Sequence, residues 1–415
     1  MIMNELPEGW AWKKLGEVCD RISEKHQPSR ESVFYVGLEH IEKDTGRILS
    51  RAENIEATAI KSLFQTGDIL YGKLRPYLNK VAVADKGGVC STDILVLRPK
   101  KLIVSGHFLH LLMLSHEFVN VMSANTSGVN LPRVPTNFVM DYAIPLPPLP
   151  VQHAIVTKIE EIFSELDHGV EQLKTAREQL KVYRQAVLKW AFEGRLTNEG
   201  VKDGELPEGW KWVKSGEVIN TINNGYTPTK EFLSEGSGEI PFIKVYNLNF
   251  DGTLNFKKNP TYIPTAVHQK DLKRSICYPG DVLINIVGPP LGKISVVTDQ
   301  YPEWNINQAI VLFRPNEKVT SKFIAYFMQN SVTINWLENT SKATAGQWNV
   351  KVSTCREIPM PLVPLPEQHR IVSEIERRLS VCDKLEETIA GSLKAAEVLR
   401  AGVLKRAFEG RLVGE

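Results

Sequence analysis

The sequence lacks the features that mark exported, membrane-spanning or strongly charged proteins. Its five cysteines are odd in number, lie far apart and form no C-x-x-C pair, so neither a disulfide framework nor a zinc knuckle is predicted. No apolar stretch is long enough to span a membrane, and residues 1–12 carry two glutamates, so we expect a cytoplasmic protein without a membrane anchor. The 50 basic and 48 acidic residues nearly cancel, so a polyanion must be bound by local basic surface.

Motifs of catalysis are also missing. Residues 288–294 resemble a phosphate-binding loop, but only three residues separate the two glycines and Ile294 follows the lysine, so we interpret the segment as a turn. No nucleophile elbow, zinc-protease motif or deaminase motif occurs, and Gly-Pro-Pro-Leu at 288–291 is not the Asn/Asp-Pro-Pro-aromatic loop of base methyltransferases. His153 and His369 could suggest ligands, yet neither has an evident second ligand, which favours a structural role. The sequence predicts no catalytic residue, metal or cofactor in this chain.

The most informative feature is an internal repeat. At 415 residues the chain exceeds the size of one hydrophobic core, and four motifs occur twice in the same order. These are Leu-Pro-Glu-Gly-Trp at 6–10 and 206–210, Gly-Asp-Ile/Val-Leu at 67–70 and 280–283, Pro-Leu-Pro-x-Gln-His at 148–153 and 364–369, and Ala-Phe-Glu-Gly-Arg-Leu at 191–196 and 407–412. The offset grows from 200 to 216, as loop insertions would produce. The chain is therefore interpreted as two tandem halves.

Each half contains a globular segment followed by a long helical one. Short apolar runs at 81–84, 94–97, 282–285 and 309–313 are separated by turn residues and predict strands, while 108–122 and 323–337 show helical patterns. An α+β domain dominated by antiparallel sheet is the predicted fold class. The predicted organisation is a first globular domain at 1–150, a first helix at 151–196, a linker at 197–205, a second globular domain at 206–366 and a second helix at 367–412.

The helical segments carry a heptad-like apolar stripe, which predicts that the two helices pair as an antiparallel coiled coil with pseudo-two-fold symmetry. The first helix should be about 63 Å long, and the short linker places the second domain near its far end, so a parallel pair would require a long return. A lone amphipathic helix lying on its own domain is the alternative. The stripe also includes Tyr183 and Leu399, and the predicted seam is Ile159, Ile162, Leu166, Leu173, Leu180, Val187, Ile375, Leu379, Ile389, Leu393 and Val403.

Polar loops with basic and aromatic side chains are the candidate binding residues. Lys and Arg suit phosphate or guanine and Asn suits adenine, so nucleic acid is one natural ligand for such loops. For any single residue, a solvated loop side chain is an equally good interpretation, and the clustering carries the hypothesis. In the first half the candidates are Lys73, Arg75, Tyr77, Asn79, Lys80, Ser127, Asn130 and Arg133; in the second half they are Asn285, Lys293, Asn307, Lys342, Gln347, Trp348, Asn349 and Lys351.

The sequence combines an opening motif (Leu-Pro-Glu-Gly-Trp at 6–10 and 206–210), Gly67 to Leu70 with Lys-Leu-Arg-Pro at 73–76, a proline-rich entry to each helix, and an exit motif (Ala-Phe-Glu-Gly-Arg-Leu at 191–196 and 407–412). Together these features resemble the specificity subunits of type I restriction-modification enzymes. The resemblance spans essentially the whole chain. It implies that two target-recognition domains each read one half of a split sequence in double-stranded DNA, while the helices set the gap and dock methyltransferase subunits. It implies that methyltransferase and restriction/translocase subunits supply catalysis, with S-adenosylmethionine, ATP and magnesium bound to them and not to this chain.

Three alternatives remain open from the sequence. The chain could be the specificity subunit of a related restriction system that cuts on both sides of its site. It could instead be a stand-alone DNA methyltransferase or nuclease with an unrecognised site, or a purely structural coiled-coil adaptor. Modification or cleavage of DNA by the isolated chain would identify an enzyme, and salt-sensitive DNA binding would exclude the adaptor.

Overall fold

The computed structural model describes residues 6–28, 32–49, 54–56, 59–202, 204–341, 343–344 and 347–413. The chain forms two compact units. Unit 1 comprises residues 1–174 and 390–415, and unit 2 comprises residues 175–389. Both long helices cross the unit boundary, so each unit is built from one globular domain and parts of both helices.

The first half of the chain contains eleven described strands and five helices. The strands are β1 (Ala11–Lys14), β2 (Cys19–Ile22), β3 (Lys25–His26), β4 (Ser32–Val36), β5 (Asn54–Glu56), β6 (Lys61–Phe64), β7 (Ile69–Gly72), β8 (Val81–Val83), β9 (Gly88–Cys90), β10 (Ile94–Pro99) and β11 (Ala143–Leu146). The helices are α1 (Leu15–Val18), α2 (Gly106–Leu114), α3 (His116–Ala124), α4 (Thr136–Asp141) and the long α5 (Leu149–Phe192). Short 3-10 turns occur at Leu38–His40 and Pro76–Leu78.

The second half continues with the same alternation of short strands and helices. The described strands are β12 (Lys211–Lys214), β13 (Ile222–Asn224), β14 (Ser234–Glu235), β15 (Ile240–Ile243), β16 (Thr261–Ile263), β17 (Ile276–Cys277), β18 (Val282–Asn285), β19 (Val287–Gly288), β20 (Ile294–Val296), β21 (Trp304–Ile306), β22 (Ile310–Phe313), β23 (Ala343–Thr344), β24 (Gln347–Asn349) and β25 (Pro359–Leu362). The helices are α6 (Ser215–Val218), α7 (Thr265–Gln269), α8 (Ser321–Gln329), α9 (Ser331–Thr340), α10 (Val352–Arg356) and the long α11 (Leu365–Phe408), with 3-10 turns at Lys230–Phe232, Val245–Asn247 and Lys273–Ser275.

The two domains share the strand order of a four-stranded sheet and of four strands in a second sheet, whose fifth strand differs: β3 lies beside β6 in unit 1 and β14 beside β16 in unit 2. A four-stranded antiparallel sheet has the order β2-β10-β7-β8 in unit 1 and β13-β22-β18-β20 in unit 2. A second sheet contains β6-β9-β4-β5 in unit 1 and β17-β21-β15-β16 in unit 2, and in both the central pair is parallel. A two-stranded ladder joins the opening motif to the strand before the long helix, β1 with β11 and β12 with β25. The predicted fold class and tandem repeat are confirmed.

The four-stranded sheets are buried on both faces, which explains why their strands read as continuous apolar runs. Along β10, Leu95 and Leu97 lie in one core cluster with the helices, whereas Ile94 and Val96 lie in another cluster against the second sheet. Successive side chains of a strand point to opposite faces. An alternating polar pattern would leave polar groups in one of the two cores.

The repeated Gly-Asp motif has a structural role. Gly67 has a φ of +89°, a conformation that favours glycine. The next residue, Asp68, is buried and accepts hydrogen bonds from Nε and Nη2 of Arg98 on β10, each at 2.8 Å. Asp281 and Arg314 form the corresponding bidentate pair in unit 2. The motif therefore ties neighbouring strands together, because a buried carboxylate requires a paired cation.

Each predicted helical pattern at 108–122 and 323–337 is two helices. Ser115 ends α2 and caps α3, accepting a hydrogen bond from the Phe118 N–H, and Asn330 separates α8 from α9 and accepts from the Val332 N–H. Ser and Asn are favoured at helix N-termini because their side-chain oxygens satisfy exposed backbone N–H groups. The apolar period continues across the break, so the sequence pattern alone does not reveal it.

The long helices begin earlier than their prolines suggest. Leu149 starts α5 and Leu365 starts α11, with Pro150 and Pro366 in the first turn, where a missing N–H costs no helical hydrogen bond. Two residues after Pro150, the side chain of Gln152 is fully buried. Its amide oxygen accepts a hydrogen bond from the Ser105 N–H at 2.8 Å, and its amide nitrogen donates to the carbonyls of residues 103 and 147. In unit 2, Gln368 makes the corresponding three hydrogen bonds. The repeated glutamine therefore anchors each helix to its own domain.

In unit 1 the start of α5 packs antiparallel to the end of α11. Ile155 and Ile159 lie in the same core as Ala407 and Phe408, and further along α5 the carboxylate of Asp167 pairs with Arg400. Later residues of α5 thus pair with earlier residues of α11. The Arg400 guanidinium also lies 4.1 Å above the ring of Phe163, a cation–π contact that covers the ion pair.

Unit 2 shows the same arrangement with the helices exchanged. Ala191 lies in one core with Ile371, while Arg184 donates to Asp383 at 2.6 Å and to Glu386 at 3.1 Å. Antiparallel pairing is confirmed within each unit. Of the predicted seam, Ile159, Val187, Ile375, Ile389 and Val403 are buried, and Ile162, Leu166, Leu173, Leu180, Leu379 and Leu393 are half-buried.

The exit of each helix contacts an opening motif within its own unit. In unit 2, Gly194 has a φ of +80° and lies so close to Pro207 that a Cβ would collide with the proline ring. In unit 1, Gly410 has a φ of +74° and is in the same relation to Pro7. The exit and opening motifs therefore form one contact in each unit, and only in unit 2 does a short linker join the two motifs. Glu5 and Gly414, near the chain ends, lie outside the described residues.

Candidate nucleic-acid interface

In unit 1 the two predicted polar loops lie side by side. Leu74 forms an antiparallel bridge with Arg133, and the Arg75 N–H donates to the Pro132 carbonyl at 2.7 Å. The Val134 N–H returns a hydrogen bond to the Lys73 carbonyl at 3.1 Å. These bonds fix the backbones of loops separated by about fifty residues of sequence, so their side chains share one surface.

The first loop presents its cation and its aromatic ring to solvent. Arg75 has a φ of +51°, and the 3-10 turn that follows begins at Pro76, whose ring fixes φ and stabilises the turn. Both Arg75 and Tyr77 are exposed, the tyrosine by 52%. An arginine and a tyrosine on a rigid turn can contact phosphate, sugar or base.

Asn79 and Lys80 face the protein. Asn79 is buried, and its amide donates to Asp44 at 3.1 Å and to the Leu114 carbonyl at 3.2 Å. The ammonium of Lys80 donates to the Leu38 carbonyl at 2.5 Å. These side chains hold the loop on the domain, which is a positioning role.

The second loop places Arg133 in a cluster of charges. Its Nε donates to Oδ1 of Asp93 at 2.8 Å and its Nη2 to Oδ2 at 3.3 Å. Burial lowers the pKa of neighbouring Lys73; Asp93 opposes this decrease, while Arg21, Lys25 and Arg133 add to it. Arg21, Lys25 and Asp93 are not among the predicted binding residues, because they lie on or beside other strands and no local pattern assigns them to this surface.

The remaining candidates of this loop differ in environment. Asn130 is exposed, and Ser127 is exposed but pairs through its backbone with Arg133, exchanging two hydrogen bonds of 2.9 Å. Gly128 has a φ of +94°, which lets the loop turn tightly enough for this pairing. The turn therefore presents Asn130 at its tip and Arg133 at its base.

Unit 2 brings the corresponding loops together by a different local structure. Val287 pairs with Asn349 and Gly288 with Trp348, forming a small sheet of β19, β24 and β23. Asn285 is buried and closes the adjacent hairpin, because its amide donates to the carbonyls of residues 287 and 290 while its oxygen accepts from the Lys293 N–H at 2.9 Å. The predicted turn at 288–294 is thus held by Asn285.

The other candidates of unit 2 surround this hairpin. The ammonium of Lys293 lies 5.9 Å from the ring of Phe250, which is 54% exposed. Trp348 is half-buried, while Asn349 and Lys351 are exposed, the lysine immediately before α10. Asn307 is half-buried, and its amide oxygen has no hydrogen-bond partner among the described residues. Gln347 lies in β24 beside Trp348, whereas Lys342 lies outside the described residues.

Other binding chemistries find no support in the described part of the chain. Nowhere among these residues do three or more His, Cys, Asp or Glu side chains converge as a metal site, and His153 and His369 are exposed on their helices. Among the described residues, no helix combines the length and apolar character needed to cross a membrane.

Comparison with known proteins shows which family has this architecture. The family model described as "Type I restriction modification DNA specificity domain" matches residues 7–179 and again residues 207–395. The chain belongs to this family. The two matches correspond to the two repeats, so the family resemblance stated from the sequence is confirmed.

Individual members of the type I specificity family are similar over different lengths. The EcoBI specificity subunit of Escherichia coli is 29% identical over 72% of this chain and 64% of its own length. The EcoDI specificity subunit, also from Escherichia coli, is 33% identical over 46% of this chain and 43% of its own length. The chain thus spans less than two thirds of these curated relatives. A solved chain from the type I R-M system, 24% identical, shares the fold with a TM-score of 0.79 over 98% of this chain and 100% of that one.

Proposed function

We propose that the chain is the DNA-reading subunit of a type I restriction-modification complex. The observation that carries the proposal is that one DNA specificity domain model matches each half of the chain, and each half presents a pair of polar loops fixed side by side. Two loop pairs in one chain suit a target made of two half-sites. The chain reads double-stranded DNA, and partner subunits carry out the reactions.

Within each half, side chains that reach solvent contact DNA, and fully buried ones hold the loops. In unit 1 we assign contacts to Arg75, Tyr77, Asn130 and Arg133, because their backbones are fixed and their side chains reach solvent. In unit 2 we assign them to the group consisting of Lys293, Trp348, Asn349 and Lys351. The buried amides of Asn79 and Asn285 act by positioning, since their hydrogen bonds are made within the protein.

The paired helices dock methyltransferase subunits and set the gap between half-sites. Two apolar side chains support a docking surface, since Val182 on α5 is 71% exposed and Val398 on α11 is 66% exposed. They are 216 residues apart, the offset of the repeat, so each helix offers an equivalent apolar position. Methyltransferase and restriction/translocase subunits bind S-adenosylmethionine, ATP and magnesium, and the complex acts on DNA in the cytoplasm.

Co-expression with the neighbouring genes, followed by sequencing of methylated sites, tests this function. We expect one bipartite methylated sequence with a fixed gap, and no methylation when this chain is omitted. The purified chain alone, incubated with duplex DNA, S-adenosylmethionine and magnesium, should neither methylate nor cut. Modification by the isolated chain would instead identify an enzyme, and a continuous target without a gap would contradict two independent half-sites.

Single substitutions in the two loop pairs should act on separate half-sites. Arg133→Ala and Lys351→Ala should each weaken DNA binding, by about 1–3 kcal/mol if the side chain contacts a base edge. Each should relax specificity in one half-site only, because the two residues belong to different units. Binding to duplexes with every base pair changed in turn measures this, and an equal loss in both half-sites would exclude the assignment.

A circularly permuted chain should keep both fold and target. The permutant runs from residue 206 to 412, continues through a copy of the linker 197–205 and ends with residues 6–196. Because Gly410 contacts Pro7 as Gly194 contacts Pro207, the same linker should span the new connection. Circular dichroism and the methylated sequence are the measurements. A misfolded permutant would show that the contact does not bring the two ends within reach of a nine-residue connection.

A further inference from the structure

The pairing of Arg133 with Asp93 leaves a defined part of the guanidinium for a ligand. An arginine has five N–H groups in a planar, rigid arrangement. Within the described part of the chain, Nε–H and one Nη2–H donate to Asp93, and one Nη1–H is directed at the Leu131 carbonyl at 3.4 Å. One N–H on each Nη atom remains, and the edge of the planar guanidinium that joins Nη1 to Nη2 carries two parallel N–H bonds. They match two adjacent acceptors in one plane.

Both the backbone and the side chain of Arg133 are fixed. Its N–H donates to the Ser127 carbonyl, and its own carbonyl accepts from Ser127, each at 2.9 Å. Asp93 is held in turn, because its N–H donates to Oγ of Ser91 at 3.3 Å and its carbonyl accepts from the Lys73 N–H at 2.9 Å. A side chain whose supporting residues are fixed loses little conformational entropy on binding, which suits recognition of a specific geometry.

The carboxylate of Asp93 discriminates between the two ligands that could accept both N–H groups of Arg133. Phosphate oxygens and the O6/N7 edge of guanine both accept two parallel N–H donors. Asp93 retains 27% exposure beside the guanidinium, and its negative charge repels a phosphate. The major-groove edge of a G·C pair instead offers the N4 amino donor of cytosine beside the guanine acceptors. A carboxylate next to the arginine therefore suits a base pair better than the backbone.

We propose that Arg133 reads one guanine of the half-site bound by unit 1, with Asp93 as the residue that positions it. The proposal rests on the function proposed above and adds the identity of one base. Arg75 of the first loop, whose guanidinium has no salt bridge among the described residues, and the partly buried Lys73 are available to contact the phosphates around this base pair.

The test replaces each guanine of the methylated target by 7-deazaguanine, which removes N7 and keeps Watson–Crick pairing. Binding of the full-length chain to these duplexes is measured for the parent protein and for Arg133→Ala. At one guanine of one half-site the parent should lose about tenfold in affinity, and Arg133→Ala should lose less than about twofold there. At every other guanine the two proteins should respond alike.

Asp93→Asn separates positioning from general loss of structure. The substitution removes one charge and keeps one acceptor. The penalty, meaning the loss of affinity when 7-deazaguanine replaces the same guanine, should therefore shrink at least about threefold, while binding to unrelated DNA increases. Asp141→Asn is the matched control, because Asp141 pairs with Lys14 on the exposed surface of the same unit. It should leave every penalty unchanged.

Three results would overturn the inference. If Arg133→Ala weakens binding to all duplexes equally and lowers the salt slope by about one, Arg133 contacts a phosphate. If no penalty depends on residue 133 although a bipartite methylated site exists, the guanine assignment fails and the proposed function stands. Absence of any methylated site would reject the function and this inference together.

Discussion

Four residues inserted after Thr175 in α5 and four after Gly391 in α11 should change the gap between the half-sites. The paired insertion lengthens both helices by about 6 Å and rotates the residues beyond it by about 40°. Asp167 and Arg184 are 17 residues apart in α5, as Asp383 and Arg400 are in α11, and equal insertions keep both ion pairs. Sequencing of methylated sites should show a gap longer by about two base pairs, or no methylation.

Two further variants make the insertion test specific. The same four residues inserted after Gly200 in the linker, where a side chain would meet open space, should leave the gap unchanged. Insertion in α5 alone should destabilise the protein, because the two ion pairs then require different helix lengths. Methylation of the original gap by the paired-insertion variant would show that the helices do not set it.

Removing one phenylalanine from a helix exit should destabilise one unit strongly. Phe192 is 2% exposed and packs edge-to-face on Phe323 and Phe327 at 5.2 and 5.3 Å between ring centroids. Phe192→Ala should lower the free energy of unfolding of unit 2 by about 3–5 kcal/mol. Phe408→Ala should do the same in unit 1, where Phe408 packs on Phe108 at 5.4 Å.

Hydrogen exchange resolves which unit responds. Amides of the unit that loses its phenylalanine should exchange faster in the strands, and those of the other unit should change less. Val182→Ala is the control in the same helix, since an exposed side chain should contribute less than about 0.5 kcal/mol. Equal acceleration in both units for either variant would mean that they unfold as one cooperative body.

The repeated motifs made most of the fold predictable, because their residues satisfy backbone needs. Gln152 and Gln368 anchor helix starts, and Gly194 and Gly410 provide conformations that other residues avoid. The apolar runs predicted the strands because both faces of the central sheets are buried. Such signals are local in sequence, and local signals are what a single sequence reveals.

The candidate interface was less predictable because its partners come from distant segments. Nothing near residue 79 or 285 shows that these two asparagines use their amides inside the protein. Asp93, forty residues before Arg133, became visible only through their pairing. The heptad stripe also placed Leu399 on the seam, yet it is 53% exposed, and the adjacent Arg400 turns inward because Asp167 supplies an opposite charge.

The sharing of helices between units also dictates an order of folding during synthesis. The core of unit 1 includes Val403, Leu404, Ala407 and Phe408, which leave the ribosome after every residue of unit 2 has been made. At about 5–20 residues per second, the strands of unit 1 wait roughly ten seconds or more for these side chains. Unit 2, encoded later, can complete its core first. A chain truncated after residue 389 should therefore protect unit 2 from proteolysis and leave unit 1 open.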